Sequence, residues 1–390
     1  VHGEHDQTKR DLIRAARDEF AAVGQAAFTM DGVAKRAFYS PGSLYGRWSD
    51  RIELLADLGC EVIRPDLVRD LDHIQDRDEA IAWVLDEGRP AMVLAGELLI
   101  AGHTNSALHD VAVDIWGALR GGLQRLLPPG MAWYVATIAI GGAMLDVIDL
   151  PGPTPPTGRV TWLSEACNIE EEARHTPRRA SEAPEVDVPV VPPPIRSDPT
   201  AQALIQAAKS LLAEHGSEGI STRRVSAAAG VTTGAIYRRY DGRAALLSDV
   251  LLAELAPDRY EWTWELVRAL ASDDPYWSAA DVMTRRLIAT MQDEASQRVL
   301  LHIGVAARND DALRAQVRER VLVAHRARTD MFMHLRNAGV TRDDVDPAVF
   351  AWGFQTLTVG LRVTQPLGIP IDVDAATIAM RAVMTGAAAR

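Results

Sequence analysis

The residues best suited to act on another molecule fall in two short stretches that repeat each other. In the later one, Ser221, Thr232 and Asp241 stand where side-chain oxygens can cap three successive helices, and Arg223, Arg224, Arg238, Arg239 and Arg243 surround them. Such oxygens accept from the free N–H groups of a helix start, so their spacing marks where each helix begins. The pattern predicts helices over 200–215, 222–229 and 233–240 and a fourth from Arg243, with Gly216 and Gly230 closing the first two. Two short helices split by Gly230-Val231-Thr232 make a helix-turn-helix. In that geometry the start of the second helix enters the major groove of DNA. Thr232, Thr233, Ala235 and Tyr237 are expected at or near the reading surface, with Arg238, Arg239 and Arg243 within reach of phosphates. Arg223 and Arg224 open the supporting helix against its dipole; a phosphate would offset this, and plain exposure would also allow it.

The earlier stretch follows the same plan with departures. Lys35, Arg36, Ser40, Ser43, Tyr45, Arg47 and Arg51 offer the same kinds of contact. Phe38 stands where the later stretch has Gly230, and a bulky residue is uncomfortable at the positive φ of a turn. Pro41 fits the first helical position after Ser40. Gly46 replaces Arg238, removing a side chain and weakening its helix by about 1 kcal/mol. Two readings stay open for this head: a working reader of different specificity, or a structural remnant. Basic residues at matching positions in both stretches favour DNA over a merely solvated face, and would add salt-dependent affinity by counterion release.

The elements that carry these residues are themselves written twice. Leu12, Ile13, Ala15, Ala16, Gly24, Val33, Ala37, Gly42, Tyr45, Arg47, Arg51, Leu54 and Leu55 recur, at an offset of 192, as Leu204, Ile205, Ala207, Ala208, Gly216, Val225, Ala229, Gly234, Tyr237, Arg239, Arg243, Leu246 and Leu247. Further on, Ala101, Ala107 and Leu108 match Ala306, Ala312 and Leu313 at an offset of 205. Ala132, Trp133, Thr137 and Gly141 match Ala351, Trp352, Thr356 and Gly360 at 219. A complete two-part unit was duplicated, and the first copy is shorter by about 14 residues around 126–131. Between the copies, residues 174–199 hold seven prolines, which exclude helix and favour an extended tether. Elsewhere apolar residues recur at three and four, as in Leu204, Ala207, Ala208, Leu211 and Leu212, and no sustained period-two run suggests a sheet.

Composition sets limits on function. The chain has 390 residues, enough for several domains, and its 47% hydrophobic and 24% charged residues are an ordinary globular balance. A formal charge of −12 excludes a uniformly basic protein but not local basic faces. Two cysteines, Cys60 and Cys167, exclude a disulfide framework, so a cytoplasmic location is expected. The polar start suggests no export signal. The most apolar runs, 91–102 and 131–150, are respectively too short and interrupted by Asp146 and Asp149, so both are expected as buried helices and no membrane partner is expected.

The run Ala229-Gly230-Val231-Thr232-Thr233-Gly234-Ala235-Ile236-Tyr237-Arg238-Arg239-Tyr240, followed by Arg243-Ala244-Ala245-Leu246-Leu247, resembles the DNA-binding domain of tetracycline-repressor (TetR) family regulators. The first copy carries the same motif as Ala37-Phe38-Tyr39-Ser40-Pro41-Gly42-Ser43-Leu44-Tyr45-Gly46-Arg47-Trp48. The resemblance implies an all-α fold, a helical ligand-sensing core and dimeric operator binding. It also implies that Tyr45 and Tyr237 present hydroxyls to DNA, while Trp48 and Tyr240 are expected to pack beneath. The domains expected are a divergent helix-turn-helix over 1–55, a shortened core over 56–173, the linker, a second helix-turn-helix over 200–250 and a second core over 251–390. In the family two late helices per subunit form a four-helix interface. Here the pairs expected to do so, 109–127 with 131–149 and 311–337 with 346–364, lie on one chain and would close an intramolecular pseudo-dimer.

The second core holds Trp264, Trp277, Met283, His302, Phe332, Phe354 and Gln355, candidates for an apolar effector pocket, although such residues at helical spacing more often form core. No His-Glu-x-x-His, Cys-x-x-Cys, Walker or Gly-x-Ser-x-Gly motif is present, so no enzyme, metal or cofactor is expected. The expectation is a transcriptional regulator, a repressor released by a small apolar effector, acting as a monomeric pseudo-dimer or a homodimer on double-stranded DNA. The alternatives are a chain whose second head alone binds DNA, and a small-molecule-binding protein without DNA function.

Overall fold

A computed structural model describes residues 2–150, 152, 157–173, 198–216, 219–255, 265–266, 268–269, 272, 275–337, 343 and 346–386. Every regular element among them is a helix. The first unit opens with α1 (His2–Ala27), α2 (Met30–Ala37), α3 (Pro41–Tyr45) and α4 (Arg51–Leu58). A π-helical turn, Gly59–Ile63, leads into α5 (Arg64–His73), α6 (Arg77–Leu85), α7 (Arg89–Thr104), α8 (Ser106–Gln124), α9 (Pro129–Asp146) and α10 (Thr157–Ala173). The second unit repeats the head as α11 (Pro199–His215), α12 (Thr222–Ala228), α13 (Thr233–Tyr237) and α14 (Arg243–Leu255). Its core holds α15 (Pro275–Gln292), α16 (Glu294–Arg308), α17 (Asp311–Asn337), α18 (Pro347–Thr364) and α19 (Val373–Gly386). Most of the proline-rich tether, 174–197, lies outside the described residues.

Local sequence explains where these helices begin and which face they bury. Thr29 caps α2 by accepting from the Gly32 N–H, and Asp50 caps α4 by accepting from Ile52 and Glu53. Along α8 the spacing of Leu108, Ala112, Ile115, Trp116, Leu119 and Leu123 puts one apolar stripe into the core. By contrast, α9 is buried without interruption from Gly130 to Ala143, and α18 is nearly so. A helix apolar on all sides belongs at the centre of a protein.

These two helices cross at the centre of the molecule. Thr137 and Gly141 of α9 meet Thr356 and Gly360 of α18, the very residues that match between the copies. The Thr137 and Thr356 hydroxyls each donate to their own helix, to the carbonyls of Trp133 and Trp352, so the dry crossing holds no orphaned hydroxyl. Beside it α10 packs on α19, with the Trp162 indole N–H donating to the Val383 carbonyl at 3.1 Å. The buried Glu170 on α10 accepts from the first N–H groups of α9, at Gly130 and Met131. A carboxylate there also matches the helix dipole.

The four-helix interface therefore forms within one chain, but with a different membership from that expected. It joins α9 and α10 to α18 and α19. Helix α8, one of the expected members, packs on α7 and α5 instead, while α17 packs on α14, α16 and α18. The missing residues of the first copy show as a 19-residue α8 against a 27-residue α17. One apolar core runs from the first head through α6–α10 into α15, α18 and α19. A second gathers the second head with the start of α17, one side of α16, and Leu145 and Ile148 at and just after the end of α9. Among the described residues no helix is long and apolar enough to cross a membrane.

Candidate nucleic-acid interface

Each head is three short helices built on a longer first one. In the second head, Ser221 caps α12 by accepting from the Arg224 N–H, and Gly230 closes it at a φ of +67°. Thr232 then starts α13, and its side chain makes no bond to that helix start. Helix α13 ends at Tyr237, three residues short of the expected span, as Tyr240 turns inward and is buried. Thr232, Thr233, Tyr237 and Arg238 are all exposed on one short stretch, as is Arg223 at the start of α12. The Tyr237 ring is 60% exposed, with its hydroxyl 3.5 Å from that of Thr222.

The other four expected contacts are placed differently. Ala235, expected at the reading surface, is 5% exposed, because α13 lies on α12 and this small residue falls on the packed side. Arg239, expected to meet phosphate, forks onto the Asp198 carboxylate and also donates to the Ala235 carbonyl. Asp198 itself caps α11 through the Thr200 N–H, so the pair ties the reading helix to the first helix of its head. That hydrogen bond from Arg239 holds the Asp198 carboxyl below its usual range, and the Thr200 N–H adds to it. Arg224 reaches back to the Gly219 carbonyl at 3.4 Å, and Arg243 is half-buried.

The first head has the same geometry with other side chains. Ser40 starts α3 without capping it, and its hydroxyl lies 3.2 Å from that of Ser43. Tyr45 is 56% exposed, the counterpart of Tyr237. Trp48 is buried, donating to Asp57 at 2.9 Å. Lys35 is exposed, whereas Arg36 is paired with Glu19, Arg47 donates to the Ser43 carbonyl and Arg51 lies 3.5 Å from the Phe28 carbonyl. Phe38 does occupy the turn at a φ of +59°, where Gly230 stands in the second head, and its ring is 96% exposed.

Of the expected pocket residues, Met283, Phe332 and Phe354 share the main apolar core. Trp264 and the Trp277 side chain lie outside the described residues. Met283 and Phe332 are buried in the main core, where Phe332 packs edge-on against Phe350 with centroids 4.3 Å apart. Phe354 lies beneath the Arg328 guanidinium, which also donates to Gln355. His302 stands apart from all of them, under Gly216 at the base of the second head. Two features went unread in the sequence: the Asp198–Arg239 pair, and a buried ion pair between Glu97 and Arg308 that joins the two units. Glu97 was visible as a lone carboxylate in an apolar run, which signals a partner without naming it.

The sequence profile of the family described as bacterial regulatory proteins, tetR family, matches the chain twice, at residues 12–58 and 204–250. A comparison with curated proteins finds no match. Among solved structures the chain is similar to native NalD, the secondary repressor of the MexAB-OprM multidrug efflux pump in Pseudomonas aeruginosa. Identity is 22%, covering 48% of this chain and 97% of that one, with a TM-score of 0.38. It is also similar to SmeT, the repressor of the Stenotrophomonas maltophilia multidrug efflux pump SmeDEF, at 21% identity over 39% of this chain and 70% of that one, with a TM-score of 0.29.

Proposed function

From the premise that this chain carries two tetR-family DNA-binding domains in tandem, we propose that it is a sequence-specific transcriptional repressor in which one polypeptide does the work of a dimer. The observation that carries the reading is the pairing of Tyr45 and Tyr237. Both are exposed at the same position of their reading helices, on heads whose cores are joined by one α9–α18 crossing. Because the heads differ in sequence, the natural target is an asymmetric operator with unlike half-sites about one helical turn apart. Exposed Lys35, Arg223 and Arg238 supply phosphate contacts, and Thr232, Thr233, Ser40 and Ser43 approach the bases. A small effector that prefers a conformation with the heads wrongly spaced lowers operator affinity by its differential affinity for the two states.

Mass by light scattering, alone and with a DNA fragment recovered from a random pool, tests the reading. A particle of 42.4 kDa on one non-palindromic site is the expected result. A homodimer on a palindrome overturns the single-chain arrangement, and failure to select any DNA overturns the regulator. A second reading, with DNA bound by the second head alone, is favoured by Gly46, which ends the first reading helix where the second head has Arg238. Tyr45→Ala separates the two, since loss of affinity requires a working first head.

A further inference from the structure

Helix α16 belongs to the second unit, yet it serves both heads. It packs against α11 of its own head and touches α1 of the other. The hydrogen bonds to α1 come from its last residue and the one after. Arg308 is paired with Glu97 of the first unit and donates to the Ala21 carbonyl at the end of α1, while Asn309 donates to the Val23 carbonyl at 2.9 Å. Glu97 is 1% exposed and accepts from the Gln25 N–H at 2.9 Å with its other oxygen. Between these groups α1 turns at Gly24, with a φ of +68°. A Cβ there would stand 2.7 Å from Arg308 Nη1 and 2.8 Å from Glu97 Oε1, so only glycine fits.

The second unit lacks this pair at the same place. At the offset of 205, Glu97 corresponds to His302 and Arg308 to His103. His302 lies under Gly216, the counterpart of Gly24, and among the described residues neither ring nitrogen has a hydrogen-bond partner. His103 turns to the α18 backbone instead, with Nε2 2.6 Å from the Val363 carbonyl. Two ionic partners have become two histidines, so one lock exists where a symmetric dimer would have two or none.

We propose that Glu97 and Arg308 are positioning residues of the first reading head, locking it to the second unit so that α16 sets the place of both heads. A shift of α16, whatever its origin, changes the spacing of the pair. This rests on the regulator reading for its purpose, although the lock is testable without DNA. The carboxylate is buried, and among the described residues Arg308 and Gln25 donate to it, so neutralising the ion pair frees the end of α1 without touching a DNA-facing residue.

The test uses the full chain with Cys60→Ser and spin labels on two pairs of exposed sites, Asp31→Cys with Gly117→Cys and Arg223→Cys with Gly117→Cys. Electron–electron resonance then reads each head against the first core. In Glu97→Gln/Arg308→Gln the distance distribution from residue 31 should broaden at least twofold, while that from residue 223 keeps its width. An unchanged distribution from residue 31, or equal broadening of both, overturns the proposal. If the double variant fails to fold, Glu97→His installs the residue the second unit carries at this place, and the same outcomes apply. On selected DNA, the variant should tolerate one or two extra base pairs between half-sites at least fivefold better than the parent. If the parent binds no DNA but its label distances respond as stated, the regulator reading falls and the lock stands.

Discussion

Gly141 and Gly360 each lie where the opposite helix passes too close for a side chain. A Cβ on Gly141 would overlap the Thr356 carbonyl oxygen and stand 2.7 Å from the Gly360 nitrogen; a Cβ on Gly360 would overlap the Thr137 carbonyl oxygen. The two statements exchange under an offset of 219, as they must if a two-fold axis relates the units. Gly141→Ala should therefore push α9 from α18 and cost about 1–3 kcal/mol, the usual range for an overpacked core. Urea unfolding reads this, and Gly360→Ala should cost a similar amount. The double variant should lose less than the sum, because one separation of the helices relieves both clashes. A loss within about 0.5 kcal/mol of zero for either single variant would contradict the close crossing.

Phe38 carries two penalties at once, a left-handed backbone and a ring left in water. For a residue other than glycine that backbone costs roughly 1–2 kcal/mol, part of which glycine returns through its freer unfolded chain. Phe38→Gly should raise the unfolding free energy by about 0.5–1 kcal/mol. Strain that persists at an exposed turn points to use, so the same variant should weaken binding to the first half-site while leaving the second unchanged. Stabilisation without any loss of DNA affinity would make the first head a scaffold.

Much of this molecule was legible in its sequence, for identifiable reasons. The cap at Ser221 and the periodicity of α11 act through neighbours three and four residues away, so local pattern suffices. The match of Thr137 and Gly141 to Thr356 and Gly360 was also visible, but a repeat says that residues are equivalent, not that they touch. Membership of the central bundle turned on which helix pairs α10 and α19 complete, a matter of long-range packing that amphipathic stripes do not encode. Ala235 falls on the packed side because a five-residue helix turns residues away from the reading face within one step, and Arg239 meets Asp198, a partner 41 residues away. The Glu97–Arg308 pair joins residues 211 apart across two units, and no local rule reaches that far.

His103 and His302 are each buried, and burial lowers both to about 4, with Arg298 nearby acting in the same direction on each. The unfolded chain takes up a proton at each near pH 6.5, which the folded chain resists until about pH 4. Stability should thus fall as pH drops from 7 towards 4.5 and level off below about 4, by up to about 3 kcal/mol for each histidine. Urea midpoints at pH 7, 6, 5 and 4.5 measure this, and His302→Gln should remove its share of the slope. A flat profile in the parent would mean that neither ring is held neutral.

Arg239 offers a test of whether a basic residue just after a reading helix touches DNA or only its own head. It forks onto Asp198, so its charge is already partnered. If it acts by holding α13 to α11, Asp198→Ala and Arg239→Ala should each weaken the second head's DNA affinity, and the double variant should bind no worse than the weaker single one. Salt dependence should stay unchanged in all three, since no phosphate contact is lost. A shallower salt slope in Arg239→Ala alone would show a phosphate contact after all.

Tyr45 and Tyr237 decide whether one chain reads two different half-sites. Each is exposed at the last residue of its reading helix, and the Tyr237 hydroxyl lies 3.5 Å from that of Thr222. A hydroxyl that bonds to DNA contributes about 1 kcal/mol, so its removal should weaken binding roughly fivefold. On an asymmetric operator, Tyr45→Phe should lose protection over one half-site and Tyr237→Phe over the other, because each change removes a bond from one head only. Footprinting with half-sites swapped end to end distinguishes the heads by which side of the site opens. If Tyr45→Phe leaves protection and affinity untouched while Tyr237→Phe does not, DNA is read by the second head alone, and the first unit serves as its built-in partner.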